Sequence, residues 1–328
     1  MDRTDPIFRK SDLSLTFFPV ENEDLFELYN KCKKSFWIPE NVPGLGSDRS
    51  DWDEKMTEDE RYTAKIILAF FNIADQLVDD NLRKNFTSLV ELKEAKAFYD
   101  FQQMMEQIHS EAYSLMIDSY IRDSEEKMRL FRGLENFKCL KGKGDWIEKW
   151  INADVGYAER LVAFACVEGV FFSSAFAFMV WLGSRNILRS AVTMNEYIRR
   201  DEGFHTEFAC LVYRRYIVNK PEEETVRKIV REAVSVEKEF ISEAMPVDLA
   251  LGMNKRTMWE YIEFVADCLL MDLGYDEEYG VKLPFEFMKK ASSWSKANFF
   301  EVHPTSYRVS DVKGEKIDIT GLSDDLDF

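Results

Sequence analysis

Glycine, proline and cysteine are scarce in this sequence. The 14 glycines and 8 prolines among 328 residues cluster between long segments with helical apolar spacing, so an all-α protein is predicted, with strands minor at best. The 5 cysteines form no C-x-x-C pair and show no dense spacing, which argues against a disulfide framework and against a zinc finger. A reduced, cytoplasmic protein is therefore expected.

Basic residues are too few to balance the acidic ones. The chain has 43 lysines and arginines against 60 aspartates and glutamates, which gives a formal net charge of -17. Because phosphate binding needs clustered basic groups, no nucleic-acid partner is expected. The polar N-terminus, residues 1–6, lacks the apolar core of a signal peptide, so nothing indicates secretion.

One segment is long and apolar enough to resemble a membrane span. Residues 161–183 are apolar apart from Glu168, two serines and a few small residues, and about 23 residues at ~1.5 Å rise would cross a bilayer. A lone glutamate is costly in lipid and needs a partner there. In a soluble bundle the same pattern is typical of a central helix surrounded on all sides, so we favour this interpretation and expect no membrane partner.

The periodicity predicts one helical domain followed by a tail. The domain is assigned to residues 1–303, of which residues 1–20 are expected to form a flexible arm. Residues 304–328 are polar, acidic and interrupted by glycine, which is typical of a flexible segment.

Local signals place the helices within this domain. Thr57 and Glu60 have the spacing of a capping box, Asn22 is expected to cap the first helix, and a polar, basic connection is predicted at residues 141–144. Helices are predicted at residues 22–36, 57–86, 92–121, 154–183 and 193–218, with a further pair after Pro221.

Two Glu-x-x-His motifs contain two of the 3 histidines in the chain. They are Glu106 to His109 and Glu202 to His205, and both lie inside predicted helices. Residues i and i+3 lie on the same helix face, so each motif can direct a carboxylate and an imidazole at one point. Each motif therefore predicts half of a dinuclear metal site. A single Glu-x-x-His motif is more often a pair of surface residues than a metal site. Two such motifs, both flanked by apolar residues, favour the metal site.

Two further carboxylates would complete such a site. Asp75 precedes Glu106 by 31 positions and Glu168 precedes Glu202 by 34, which suits two antiparallel helical hairpins joined by a crossover. This is the ligand pattern of ferritin-like four-helix bundles, so we predict that fold, with additional helices around it and a di-metal carboxylate site inside. An oxygen-rich set favours iron or manganese over zinc. Asp75 alone could be a satisfied core carboxylate.

Aromatic residues occur beside the predicted ligands. Tyr113 follows His109 by one helical turn, so the two share a helix face and the phenol could be oxidised to a radical. Phe172 and Phe176 follow Glu168 at helical spacing and would keep water and reductants away. Without the ligands, all three would be interpreted as core packing. His303, next to Pro304, is expected to be a surface histidine.

These residues belong to longer motifs that resemble one known family. In this order the motifs resemble the small, radical-generating subunit of class I ribonucleotide reductase, of the eukaryotic and viral-like branch, over nearly the whole chain. They are residues 35–40 (SFWIPE), 69–75 (AFFNIAD), 105–118 (MEQIHSEAYSLMID), 167–173 (VEGVFFS) and 200–205 (RDEGFH), with an acidic end in Phe328.

The resemblance implies a role for each candidate residue. Tyr113 would be the radical tyrosine. Trp37 and Asp201 would continue from His109 as a hydrogen-bonded chain that relays an electron and a proton, and a carboxylate behind a ligating histidine also fixes its tautomer. Tyr307 would be the tail tyrosine that links this chain to the large subunit. The iron ligands would be Asp75, Glu106, His109, Glu168, Glu202 and His205.

The resemblance also implies an activity and its partners. The chain would be the β subunit of ribonucleoside-diphosphate reductase, a homodimer with two iron ions per chain, or manganese instead, activated by oxygen. The acidic tail ending in Phe328 would bind the large subunit, which holds the nucleotide. Residues 302–306 (VHPTS) replace the usual basic stretch before Tyr307, which weakens that assignment, whereas Tyr113 is not the phenylalanine of the manganese–iron branch. The rivals are a ferritin-like oxidase acting on a small organic substrate, and iron storage.

Overall fold

The computed structural model describes residues 4–250 and 252–291. Its regular structure is helical, with no strand among these residues, which confirms the all-α prediction. The helices are α1 (Glu23–Lys34), α2 (Glu58–Leu82), α3 (Lys93–Tyr120), α4 (Ser124–Phe131), α5 (Gly133–Asn136), α6 (Lys138–Asn152), α7 (Tyr157–Cys166), α8 (Ser173–Ser184), α9 (Arg189–Tyr216), α10 (Glu223–Ala244), α11 (Lys255–Leu273) and α12 (Glu286–Ala291). Short 3₁₀ turns cover Pro6–Phe8, Pro39–Asn41 and Leu45–Asp48, and π turns cover Asp51–Lys55, Arg83–Thr87 and Val167–Phe171.

The helix predicted at residues 154–183 is divided by the π turn Val167–Phe171, and of the two predicted N-terminal caps the structure has one. The Thr57 hydroxyl accepts from the Glu60 N–H at 3.2 Å and the Glu60 carboxylate accepts from the Thr57 N–H at 3.0 Å, which confirms the capping box at α2. Asn22 does precede α1, but its side chain makes no capping bond. It donates to Glu94 Oε2 at 2.9 Å instead, because Glu94 on α3 is buried beside it.

Helices α2 and α3 form an antiparallel hairpin. Polar side chains join them in a regular series: Ser114 donates to Asn72 at 2.7 Å and Gln107 donates to Asp79 at 2.8 Å. Residue numbers rise along α2 while those of the partners fall along α3, so the two helices run in opposite directions. Gln76 and Ser110 bond between these two pairs, at 3.1 Å.

The second hairpin contains the apolar segment. Helices α7 and α8, joined by the π turn Val167–Phe171, pack against α9, and α10 and α11 cover them. The stretch Tyr157–Ser184 has 28 residues, and its most apolar 18-residue window has a mean hydropathy of 1.9. By length and composition it could cross a membrane, but that window is 100% buried inside the fold. It is the surrounded central helix that the sequence predicted, and α4 to α6 form the crossover.

At two places the structure differs from the sequence analysis: the predicted connection at residues 141–144 and the predicted flexible arm at residues 1–20. The predicted basic connection at residues 141–144 is wrong, because these residues lie inside α6 and Lys143 is buried. A Cβ on Gly144 would lie 2.7 Å from Leu134 Cδ2, so glycine here allows α6 to pack closely. In the predicted N-terminal arm, Ile7 is buried and Asp5 accepts from the Val218 N–H at 2.7 Å. The tail, residues 304–328, lies outside the described residues.

Candidate metal centre

The six predicted ligand residues converge at the centre of the four long helical segments. Each of the four segments contributes: α2 one carboxylate, the π turn one carboxylate, and α3 and α9 one Glu-x-x-His pair each. All six side chains are at most 3% exposed. They are Asp75, Glu106, His109, Glu168, Glu202 and His205. A buried cluster of carboxylates without counter-charge is unfavourable, so this arrangement indicates a cation.

The ligand atoms divide into two overlapping groups. One group contains Glu168, Glu202, His205 and Glu106, and the other contains Asp75, His109 and the same Glu106; within each group one atom per residue lies within 4.8 Å of the others. A carboxylate has two oxygens, so a shared glutamate can serve two ions at once. Two groups, each with the histidine of one Glu-x-x-His motif, agree with the dinuclear site that the paired motifs predicted; the shared Glu106 was not predicted.

Glu202 spans the two groups as Glu106 does. Its Oε1 lies 2.9 Å from His109 Nδ1, and its Oε2 lies 2.9 Å from His205 Nδ1. Glu106 lies 3.5 Å from His109 Nδ1 through Oε2 and 3.1 Å from His205 Nδ1 through Oε1. Both histidines therefore direct Nδ1 at the centre, and each of the two glutamates faces both.

Several of these atoms lack hydrogen-bond partners among the described residues, which tests whether metal ions fit. Both oxygens of Asp75, Oε2 of Glu168 and Nδ1 of His109 are buried without one. His109 Nδ1 and Glu202 Oε1 lie close enough to bond but do not have hydrogen-bond geometry. Unpaired buried polar atoms are rare in folded proteins, whereas ligands aimed at one ion leave this pattern. The residues present fit two metal ions.

The pKa values of the ligands show how strongly the site requires positive charge. Burial, followed by the charge of Glu106, raises the pKa of Asp75 well above its usual value, and burial raises the pKa of Glu168 likewise. Although burial opposes it, the neighbouring carboxylates raise the pKa of His205 to about 9. In the absence of metal, protons therefore neutralise part of the cluster, and metal ions would displace them.

Gln102 is a member of the site that the sequence analysis missed. Its Nε2 donates to Glu168 Oε1 at 2.8 Å and lies 3.4 Å from Glu106 Oε1, so it orients two ligands. It precedes Glu106 by four residues on α3 and thus shares its helix face, which was the available signal. A side chain that fixes a ligating carboxylate commonly tunes the affinity of the site.

Tyr113 lies in a fully buried aromatic stack. Its ring and that of Phe71 have centroids 4.3 Å apart with planes at 11°, and its hydroxyl has no hydrogen-bond partner among the described residues. Burial, then the charge of Asp75, raises the pKa of Tyr113. The predicted Phe172 and Phe176 both contact Phe71: the Phe172 ring is stacked with its centroid 6.0 Å away, and the Phe176 ring is tilted by 31° with its centroid 5.4 Å away. Phe71, which the sequence analysis included only as part of the motif at residues 69–75, is the ring in direct contact with Tyr113.

The predicted chain from His109 toward the surface is present. His109 Nε2 lies 3.3 Å from Asp201 Oδ2, and the Trp37 indole N–H donates to the same oxygen at 2.8 Å. Arg200 donates to the other oxygen of Asp201 at 3.1 and 3.2 Å, so this carboxylate is held from both sides. Trp37 is 3% exposed, while Phe36 beside it is 49% exposed. His303, Tyr307 and Phe328 lie outside the described residues.

Comparisons with known proteins agree with this geometry. The family model described as ribonucleotide reductase, small chain, matches residues 14–285. The ribonucleoside-diphosphate reductase small chain of Vaccinia virus (strain Ankara) is 44% identical over 324 residues, 99% of this chain and 100% of that protein. Subunit M2 of Danio rerio is 44% identical over 99% of this chain and 83% of its own length.

A solved structure shows the same fold. The Rnr4 homodimer from Saccharomyces cerevisiae aligns with a TM-score of 0.79 and 36% identity, over 90% of this chain and 94% of that one. The helical bundle, the buried ligand set and the full-length identity point to one conclusion. This chain belongs to the ribonucleotide reductase small-chain family, whose members have the ferritin-like fold.

Proposed function

We propose that this protein forms and stores a radical on Tyr113 and passes it to a large subunit that reduces ribonucleotides. As a member of its family it is the β subunit of ribonucleoside-diphosphate reductase, an oxidoreductase that works with the large subunit. The observation that carries the radical assignment is the buried di-metal ligand set one helical turn from a tyrosine whose hydroxyl has no hydrogen bond among the described residues.

The ligands favour iron, with manganese as the alternative occupant. The set contains four carboxylates, which are hard donors, and two imidazoles, which are intermediate donors. A closed zinc site is usually four-coordinate and poorer in carboxylates. Asp75 and His109 would hold one ion, Glu168 and His205 would hold the other, and Glu106 and Glu202, each of which faces both histidines, would complete the two sets. When bound, a di-iron pair supplies the oxidising power, drawn from oxygen, that removal of an electron from a phenol requires.

The chain itself provides the dry pocket that lets a radical persist. Tyr113 is 0% exposed, and Phe71 covers its ring face. The apolar rings of Phe172 and Phe176 lie against Phe71 and are fully buried with it, so water and soluble reductants are excluded. In this pocket Tyr113 would give up one electron together with its phenolic proton, because the phenol radical cation left by loss of the electron alone would be poorly solvated. Both the electron and the proton would pass to the di-metal site beside it.

Trp37, Asp201 and His109 form the route by which an electron and a proton leave the site. Asp201 Oδ2 accepts the indole N–H of Trp37 and faces His109 Nε2, so one carboxylate joins a metal ligand to an indole at the edge of the fold. It also holds His109 in the orientation that directs Nδ1 at the metal. Tyr307 would continue this route in the tail.

The partners that we propose are a second copy of this chain and a large subunit. A homodimer is the form in which the Rnr4 relative was solved. The acidic tail ending in Phe328 would dock the large subunit as a peptide, with the aromatic side chain as anchor. We assign the protein to the cytoplasm, a reducing compartment, in keeping with the buried thiols Cys32, Cys139, Cys166 and Cys210, which form no disulfide among the described residues.

One experiment tests the radical assignment directly. The metal-free protein is mixed with iron(II) and oxygen, frozen, and examined by electron paramagnetic resonance beside the Tyr113→Phe variant. We expect a tyrosyl signal in the native protein and none in the variant, while both bind about two irons per chain. A signal of equal intensity in the variant would place the radical on another residue, and absence of bound iron in both would refute the metal centre.

A further inference from the structure

A buried lysine lies behind the turn that carries Glu168. Lys143 on α6 is 1% exposed, and its ammonium lies 3.5 Å from the ring centroid of Phe70 and 3.6 Å from that of Phe240. A cation between two aromatic faces is stabilised by both. Neither the metal site nor the radical pocket described above gives Lys143 a role.

The ammonium bonds to the backbone of the π turn. Lys143 Nζ donates to the carbonyl oxygen of Phe171 at 2.6 Å and forms an ion pair with Glu237 Oε2, also at 2.6 Å. Phe171 is the last residue of the π turn Val167–Phe171, which carries Glu168. The lysine therefore holds the end of the segment that presents a metal ligand.

Glu237 holds the beginning of the next helix. Its Oε1 accepts the backbone N–H of Ser174 at 3.3 Å and also the Ser174 hydroxyl. Ser174 lies in the first turn of α8, where N–H groups lack helical partners and negative charge is favourable. Together, Lys143 and Glu237 hold both sides of the junction between the π turn and α8.

The helical register at this junction determines the directions in which two side chains of the site project. A π turn closes its hydrogen bonds over five residues instead of four, so a return to α register would rotate one side against the other by roughly 100°. Glu168 lies before the junction and Phe176 lies after it. Both could not keep their present directions in an uninterrupted α-helix.

A buried ion pair adds little to stability compared with apolar side chains of similar volume. Burial lowers the pKa of Lys143 to about 8 and raises the pKa of Glu237. Burying the two charges therefore costs free energy. The hydrogen bonds that the pair makes to other residues are to Phe171 and Ser174, on the two sides of the junction. We propose that Lys143 and Glu237 are positioning residues that hold the π turn in the register in which Glu168 reaches the metal ligands.

The test uses a double variant, Lys143→Met with Glu237→Leu, which removes both anchors without leaving a buried charge. Hydrogen–deuterium exchange of the metal-free protein reports the junction, and a manganese(II) titration followed by electron paramagnetic resonance reports the ions bound. We expect exchange over residues 167–174 to rise about tenfold. We expect one of the two ions to bind about tenfold more weakly, as when other side chains behind metal ligands are removed.

The matched control is the exposed pair on the same two helices. Lys149 and Glu232 lie 2.9 Å apart on α6 and α10, and Lys149→Met with Glu232→Leu should change neither exchange at residues 167–174 nor manganese affinity. If the buried double variant behaves like this control, the pair only fills space and the proposal fails.

A second variant covers the case in which the first does not fold. Lys143→Met with Glu237→Gln keeps an oxygen for Ser174 while it removes the donor to Phe171. In this variant we expect amide exchange in the π turn to be faster than in the native protein, while exchange at Ser174 stays as slow. If the π turn stays as protected as Ser174, the proposal is overturned. The inference deepens the proposed function, but neither readout requires a radical, so a failed Tyr113 assignment would leave this test interpretable.

Discussion

Replacing Tyr113 with phenylalanine should separate the chemistry of this residue from its packing. The ring that stacks on Phe71 at 4.3 Å is retained, and only the hydroxyl oxygen is lost. That hydroxyl is buried and has no hydrogen-bond partner among the described residues, and an unpaired buried hydroxyl costs roughly 1–3 kcal/mol. The metal-free variant should therefore be more stable than the native protein, by about 1 kcal/mol.

A second tyrosine on the same helix provides the control. Tyr120 is 2% exposed, but its hydroxyl donates to Asp48 Oδ2 at 3.0 Å. A hydrogen bond to a charged group contributes about 1.5–3 kcal/mol, so Tyr120→Phe should destabilise the protein by that amount. Burial and the change in volume are nearly the same at the two positions, so the difference between the variants measures the hydroxyl alone.

Urea unfolding of the metal-free proteins, with free energies extrapolated to water, measures both effects. The midpoint should rise for Tyr113→Phe and fall for Tyr120→Phe. A loss of more than about 1 kcal/mol in Tyr113→Phe would mean that its hydroxyl is bonded in the folded chain, and the reasoning from the unpaired phenol would be wrong. After loading with iron(II) and oxygen, only Tyr120→Phe should retain the tyrosyl signal.

Four further outcomes are expected. His109→Ala and Glu202→Ala should each abolish the paired site, because neighbouring ligands cannot replace the lost one; full occupancy of two irons would contradict this. Because the pKa of His205 is raised to about 9 without metal, the imidazole is protonated at neutral pH, and manganese(II) affinity should rise with pH until about 9; an affinity that falls over this range would show that the charge is misassigned. Trp37→Phe removes the donor to Asp201, so metal binding should survive while reductase turnover is lost; normal turnover would exclude this route. Deletion of the last seven residues, which end in Phe328, should leave iron loading intact but eliminate activity with the large subunit, and a peptide ending DDLDF should compete; unchanged turnover would place the interface on the helical body.

The ligands could be predicted because their signal is local. Spacing of i and i+3 places Glu106 with His109, and Glu202 with His205, whatever the rest of the fold does. Asp75 and Glu168 followed from their positions 31 and 34 residues before Glu106 and Glu202, which suit two helical hairpins. Helix α3 also matches its predicted range to within one residue at each end, since its apolar periodicity is long and regular.

Other features depend on tertiary contacts and leave no local signal. The residues next to Lys143 in the sequence have the composition of a loop. The lysine is nevertheless buried, because Glu237, Phe70 and Phe240, from distant parts of the chain, pack around its ammonium group. The π turn changes the register by a single residue, which apolar spacing does not reveal in a segment that is apolar on every face. The selection of Phe71 as the ring on Tyr113 likewise depends on how α2 and α3 pack.

The apolar stretch Tyr157–Ser184 has a consequence while the protein is being synthesised. It leaves the ribosome before α9, α10 and α11, which enclose it in the folded chain. At translation rates of about 5–20 residues per second, the covering helices follow only seconds later, and during that interval targeting factors that recognise hydropathy meet a segment like a membrane anchor. We expect ribosome-bound chains long enough to expose Tyr157–Ser184, but not α10 and α11, to crosslink to signal-recognition particle, and chains from which α11 has also emerged to escape it.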